Sequence, residues 1–130
     1  MNIQARVFEY VKNAEKYLVN ANEMLAKKDY NKSGEMLWGS IAELIKALGM
    51  VYGKNLSKHR LLIDFIKKMA ISLRDDELYR LVVERAQALH ANFYENFIEV
   101  EDFPTYYNDA HKTYKRLYEV IEKEIKARGW

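Results

Sequence analysis

Apolar residues recur at intervals of three and four along almost the whole chain, a spacing that suits helices and does not suit strands. Ile3, Val7, Val11, Ala14, Leu18, Ala21 and Leu25 fall on one stripe of a long first helix. Asp29 or Asn31 suits the cap of the second, because a short polar side chain satisfies a first-turn amide. That helix, "KSGEMLWGSIAELIKALGMVYG", carries two apolar stripes. One is Leu37, Ile41, Leu44 and Leu48; the other is Gly34, Trp38, Ala42, Ile45 and Gly49. A helix apolar on two sides, with small residues on one of them, belongs in the middle of a bundle. Gly53 supplies its stop.

Ser57 reads as the cap of a third helix carrying Leu61, Phe65, Ile66 and Met69. Ser72, three residues before Asp75, resembles a capping box for a fourth helix from about Leu73 to Val100. Asp102 caps the last helix, and Pro104, the chain's one proline, fits its first turn. Phe103, Tyr107, Ala110, Tyr114, Leu117, Ile121 and Ile125 form the stripe of that helix. Lys126 and Arg128 suit its negative end, and Gly129 closes it. Strand alternation extends over no useful length. The expectation is an all-α fold: an up-and-down antiparallel bundle of four or five helices, one domain over residues 1–130, with Trp38 and Leu48 inside.

Function is narrowed first by exclusion. With 49% hydrophobic and 31% charged residues the chain folds rather than staying disordered. A net charge of +2 carries no strong nucleic-acid signature, although it permits a local basic patch. No cysteine is present, so thiol nucleophiles, disulfides and Cys-ligated zinc are absent. There is no glycine-rich phosphate loop, and no two of the three histidines lie three or four residues apart on one helix as a metal pair would. Neither a metal nor a cofactor is implied. No run approaches the roughly 18 apolar residues of a membrane span, and the first residues lack the apolar core of a signal peptide. A cytoplasmic protein without membrane partners is expected. Asp75-Asp76 and Glu101-Asp102 sit where helix starts favour acids. Most of the ten tyrosines fall on apolar stripes and read as packing. Lys58, His59 and Arg60 open the third helix, either as a solvated terminus or as an anion holder.

Arg85 and His90 are the conspicuous polar residues of the fourth helix. Arg85 continues the Leu78, Val82, Leu89 stripe, and His90 continues Val83, Ala86, Tyr94 and Phe97. Five residues of α-helix separate the two by about 140°, so they do not stack on one face. Two readings stand. A histidine can take the proton of a ribose 2′-hydroxyl while a guanidinium stabilises phosphorane charge. Alternatively His90 lies in the core against Val83, Ala86 and Phe97, bonded to a partner such as Asn92, while Arg85 pairs with a carboxylate.

"KSGEMLWGSIAELIKALG", "LSKHRLL" and "ALHANFYENF" together resemble the small archaeal PaREP family within the HEPN superfamily, over nearly the whole chain. The resemblance implies a helical bundle that pairs into a homodimer, with part of the fourth helix in the interface. In nuclease members of the superfamily, an arginine and a histidine four to six residues apart form a composite site that cleaves RNA without metal. Arg85 and His90, with four residues between them, match that spacing. Ala86 departs from the polar residue that often follows the arginine. Within "ALHANFYENF", Asn92 and Tyr94 are further candidates as partners of His90. Other members are non-catalytic, or pair with a nucleotidyltransferase as toxin and antitoxin. Two function classes follow: a module that binds a nucleotide, an RNA or a protein partner, and a metal-independent endoribonuclease.

Overall fold

A computed structural model describes residues 2–130, and the described residues form helices joined by short loops, with no strand among them. Helix α1 is Ile3–Ala26, α2 is Tyr30–Val51 and α3 is His59–Leu73. Asp76–Leu81 continues through a π turn, Val82–Ala86, into Gln87–Glu95, and we treat the three segments as one helix, α4. The last, α5, is Phe103–Ala127.

Helix ends follow the side chains available to satisfy their amides and carbonyls. Asn2 accepts from Ala5 N at 2.7 Å, and Asp29 accepts from Lys32 N at 3.3 Å, which selects Asp29 over Asn31 as the cap of α2. Gly53 has φ +72°, and its N–H and that of Lys54 bond back to Met50 and Gly49 carbonyls. That left-handed turn costs glycine nothing and stops α2 where expected. Gly129, at φ +69°, does the same for α5.

Three boundaries differ from the sequence reading. Lys58, not Ser57, is the cap residue of α3, and its side chain makes no capping bond. Ser72 lies inside α3, which ends in a left-handed turn at Arg74; Asp75 itself caps α4 by accepting from Leu78 N at 3.2 Å. Helix α4 stops at Glu95, short of Val100, because Asn96 turns left-handed at φ +50°. The buried carboxamide of Asn92 then accepts from Ile98 N at 2.7 Å, a bond that a continuing helix would not offer.

Helix α2 is the central element, with Leu37, Ile41, Leu44, Ile45 and Leu48 wholly buried and Trp38 nearly so. Against it α1 lays Val7, Ala14 and Ala21, each fully buried and seven residues apart. Small residues let the two backbones approach closely. Ser40 and Ser33 on α2 then donate to the carbonyls of Ala14 and Ala21, at 2.6 and 2.8 Å. These pairs run in opposite directions along the two helices, so α1 and α2 are antiparallel. The pairs Glu35–His90 and Asn31–Asn92 make α4 antiparallel to α2, and Asp75–Arg116 with Arg85–Asp109 makes α5 antiparallel to α4. Helix α3 is the exception to strict alternation. Its contacts Trp38–His59 and Tyr52–Phe65 advance along both helices together, so α3 runs in the general sense of α2. The loop 52–58 carries the chain back, and this return brings the start of α3 alongside Trp38.

Candidate functional site

The π turn decides which residues of α4 face which neighbours. In an uninterrupted α-helix the line Leu78, Val82, Arg85, Leu89 would point a guanidinium into the core, at a heavy desolvation cost. The N–H of Gln87 reaches instead to the carbonyl of Val82, five residues back. That extra residue in the turn moves Ala86 onto the core line, where Val82, Ala86 and Leu89 are at most 1% exposed. Arg85 is carried out towards α5. There its Nε donates to Asp109 at 3.1 Å, and its guanidinium lies 4.6 Å from the Tyr106 ring centroid.

His90, past the π turn, faces the opposite neighbours. Its Nδ1 lies 2.8 and 3.1 Å from the two carboxylate oxygens of Glu35 on α2. A carboxylate only accepts, so Nδ1 carries the proton and donates it, leaving Nε2 as the free ring nitrogen. The side chain is 37% exposed, so His90 is not the core residue that burial against Val83, Ala86 and Phe97 would make it. His59, the first residue of α3, stacks near it with ring centroids 6.1 Å apart and planes at 24°. The amide nitrogen of Gln87, three residues before His90 on α4, lies 2.9 Å from His59 Nε2. As Gln87 donates there, the neutral His59 ring holds its own proton on Nδ1. The pair of imidazoles thus presents one lone pair and one N–H.

Aromatic side chains frame the two rings. Trp38 forms the floor, its ring 5.5 Å from His59 and 5.8 Å from His90, and only 6% exposed. Tyr94 stands edge-on to His90 at 5.5 Å and is largely open to solvent; Phe93 packs edge-on against it. Lys58 and Arg60, both exposed, flank His59 at the amino end of α3, where the helix dipole is positive.

Of the residues singled out from the sequence, His90, His59 and Tyr94 come together here, with Lys58 and Arg60 beside His59. Arg85 does not share any of the contacts of His90 within the chain. Asn92 is near His90 in sequence but serves the fold. It is 1% exposed, donates to Asn31 at 3.0 Å and accepts from Ile98 N. Three members of the site were not anticipated: Glu35, Trp38 as its floor, and Gln87. Glu35 and Trp38 are three residues apart on α2, as Gln87 and His90 are on α4, so one-face spacing was a usable signal for each half but not for their meeting. The third histidine, His111, lies elsewhere on α5 between Tyr107 and Tyr114, and burial together with Lys115 lowers its pKa from 6.5.

The family whose sequence model matches this chain is described as the Archaeal PaREP1/PaREP8 family, and the match covers residues 9–114, which include every residue of the site. No curated protein matches the chain.

Proposed function

This chain belongs to the archaeal PaREP1/PaREP8 family, and from that premise and the His90 site we propose that it is a HEPN-like helical module that binds single-stranded RNA or a nucleotide. One observation carries the reading. Two imidazoles, each oriented by a second side chain, have ring centroids 6.1 Å apart over an aromatic floor, and the exposed Lys58 and Arg60 are the chain neighbours of one of them, His59. A phosphodiester asks for this combination. Imidazole N–H and nearby Lys or Arg engage the anionic oxygens, while an open aromatic such as Tyr94 offers a face for a base.

A second reading, metal-independent cleavage, is favoured by the Glu35–His90 bond. A carboxylate holding Nδ1–H leaves Nε2 oriented as a base, the arrangement that general-base histidines use. In that reaction Nε2 of His90 takes the proton of a 2′-hydroxyl as the 2′-oxygen bonds to phosphorus. The bond to the 5′-oxygen breaks, and that leaving oxygen takes a proton from a solvent water, whose hydroxide is neutralised by the proton His90 has taken up. The products are a 2′,3′-cyclic phosphate and a 5′-hydroxyl.

Both readings are tested with one set of proteins. Fluorescently labelled single-stranded RNA is titrated with wild type, His90→Ala and His59→Ala in EDTA, and its integrity is followed on a gel. Binding is expected to weaken by about tenfold in each variant, the loss of one charge-assisted or neutral hydrogen bond. Cleavage by wild type alone, ending in cyclic phosphate, establishes the enzyme. Equal affinity in all three folded proteins removes the site from the function.

A further inference from the structure

Between α1 and α2 an open cavity of about 320 Å³ is lined by Asn13, Lys16, Tyr17 and Asn20 of α1 and by Glu43 of α2. None of these residues belongs to the His90 site, and Glu43 lies about 12 Å beyond Glu35 along α2. The α1 members stand at i, i+3, i+4 and i+7, the spacing of one helix face, and all four carry polar groups. Tyr17 packs over Gly39 of α2, its ring 3.6 Å from where a Cβ would stand, and stays 38% exposed. The side chains of Asn13, Tyr17 and Asn20 make no hydrogen bond among the described residues. Lys16 makes no ion pair among them. Glu43 is the most unusual member. Its Oε1 lies 3.6 Å from Lys46 Nζ, too far for a hydrogen bond, and its Oε2 is covered by protein with no donor among the described residues. A carboxylate oxygen taken out of water without a donor is destabilising, and a donor brought to the cavity relieves that cost.

We propose that this cavity is a guanine-binding site, in which Glu43 pairs with the Watson–Crick edge of the base and Tyr17 stacks on its face. Charge narrows the ligand class first. Glu43 is the one negative group lining the cavity, with Lys46 against it and Lys16 on the opposite wall. A ligand that brings a neutral donor and an anion therefore fits better than a cation. The Tyr17 ring and the two carboxamides then favour a flat heterocycle with donors and acceptors at its edge. Of the four RNA bases, guanine alone sets two parallel N–H groups, N1–H and N2–H, against the two oxygens of a carboxylate. Adenine and cytosine place an acceptor nitrogen beside their amino group, and uracil flanks its N–H with carbonyls. Each of those three turns a lone pair towards a carboxylate oxygen, which only accepts. Rotation of the Glu43 carboxyl group about its last bond, a soft torsion, presents Oε2 to the base. The carboxamides of Asn13 and Asn20 suit O6 of the base and the ribose hydroxyls, and Lys16 suits the phosphate. The cavity, at about 320 Å³, lies at the small end of the ~300–1,000 Å³ of ligand sites. The guanine belongs to a free nucleotide or to an RNA strand, and the recognition is the same for both.

Isothermal titration calorimetry with GMP, AMP, CMP and UMP tests the site. GMP is expected to bind about tenfold or more tighter than the other three, because each of them leaves the carboxylate facing an acceptor. Glu43→Gln sets a donor where the base needs an acceptor and lowers GMP affinity by about tenfold or more. Its melting temperature stays near that of wild type, since no hydrogen bond of Glu43 is lost. Tyr17→Ala also weakens GMP binding, whereas Tyr17→Phe keeps the ring and the affinity. His90→Ala binds GMP as wild type does, so this site and the His90 site fail or succeed separately. Competition identifies the source of the guanine. A uridine oligonucleotide with one central guanosine that displaces GMP at about one-tenth of the concentration GMP itself needs assigns the base to RNA. Displacement no stronger than by GMP assigns it to the free nucleotide. Absence of GMP binding at about 1 mM, equal binding of the four nucleotides, or undiminished binding by Glu43→Gln overturns the proposal. So does loss of GMP binding in His90→Ala, which puts the nucleotide at the His90 site instead.

Discussion

Nδ1 of His90 on α4 donates to the Glu35 carboxylate on α2 at 2.8 Å, tying together two helices whose contacting residues are 55 positions apart in the chain. The ring is 37% and the carboxylate side chain 20% exposed. The bond is therefore worth more to the orientation of the imidazole than to stability. His90→Ala is expected to cost no more than about 1–2 kcal/mol of unfolding free energy while lowering RNA affinity by about tenfold. Glu35→Ala should fall between wild type and His90→Ala in affinity, since the ring remains but loses its holder. Chemical denaturation beside RNA titration checks both, and a large stability loss with unchanged affinity refutes the assignment.

Arg85→Ala should behave in the opposite way. It removes the Asp109 contact and the stacking on Tyr106, worth together about 1–2 kcal/mol at this partial exposure. RNA affinity of a single chain should stay near that of wild type. Arg85→Lys should restore little, because an ammonium has neither the fork nor the plane of a guanidinium. A double-mutant cycle with Asp109→Ala measures the coupling. An RNA defect in Arg85→Ala larger than in His90→Ala would return Arg85 to the site.

Asn92→Ala is the most damaging single change expected near the site. The carboxamide is 1% exposed and bonds both Asn31 and the Ile98 amide, which holds the loop after α4. Its removal leaves a buried amide unsatisfied and a small void, at about 2–4 kcal/mol. Asn31→Ala, which strips only one of these partners, should cost less. Urea unfolding of the two variants gives the comparison.

Acid stability carries the signature of His111. Burial first, and Lys115 second, lower its pKa below 6.5. The unfolded chain therefore takes up this proton before the folded one. Stability contributed by the neutral ring is complete above 6.5 and is lost as pH falls from there towards the folded value. His111→Gln should flatten that part of the stability curve, as measured by melting temperature against pH.

The alkaline side belongs to Tyr114, whose hydroxyl is pushed from 10.0 up to about 12, by burial first and then by Glu15 and Tyr118. Here the folded pKa is the higher one. Stability is complete below pH 10 and declines as pH rises towards 12, where the unfolded chain is ionised and the folded chain is not. Tyr114→Phe should reduce this decline, with a remainder from Tyr107 and Tyr118, which shift in the same direction. Tyrosinate absorbance during the titration supplies the readout.

The all-helical fold, the central position of α2 and the stops at Gly53 and Gly129 were legible in the sequence. Each depends on residues within a few positions of one another: a three-to-four spacing, a short polar cap, a glycine free to turn left-handed. Asp75 was visible too, although its role as the cap itself, rather than as the far end of a box begun at Ser72, depended on where α3 ended. The candidate site was legible only in halves. His90 and Tyr94 share a helix and stood out; Glu35, Trp38 and His59 join them only because α2 and the loop 52–58 bring distant segments alongside α4. The π turn at Val82–Ala86 had no local signal at all. Spacing alone put Arg85 on the apolar line, and it is the packed surroundings of Val82, Ala86 and Leu89 that make one wider turn cheaper than a buried guanidinium. Periodicity therefore determined which elements form and which faces they bury, whereas the direction of each polar side chain on α4 was decided by the neighbours that tertiary packing supplied.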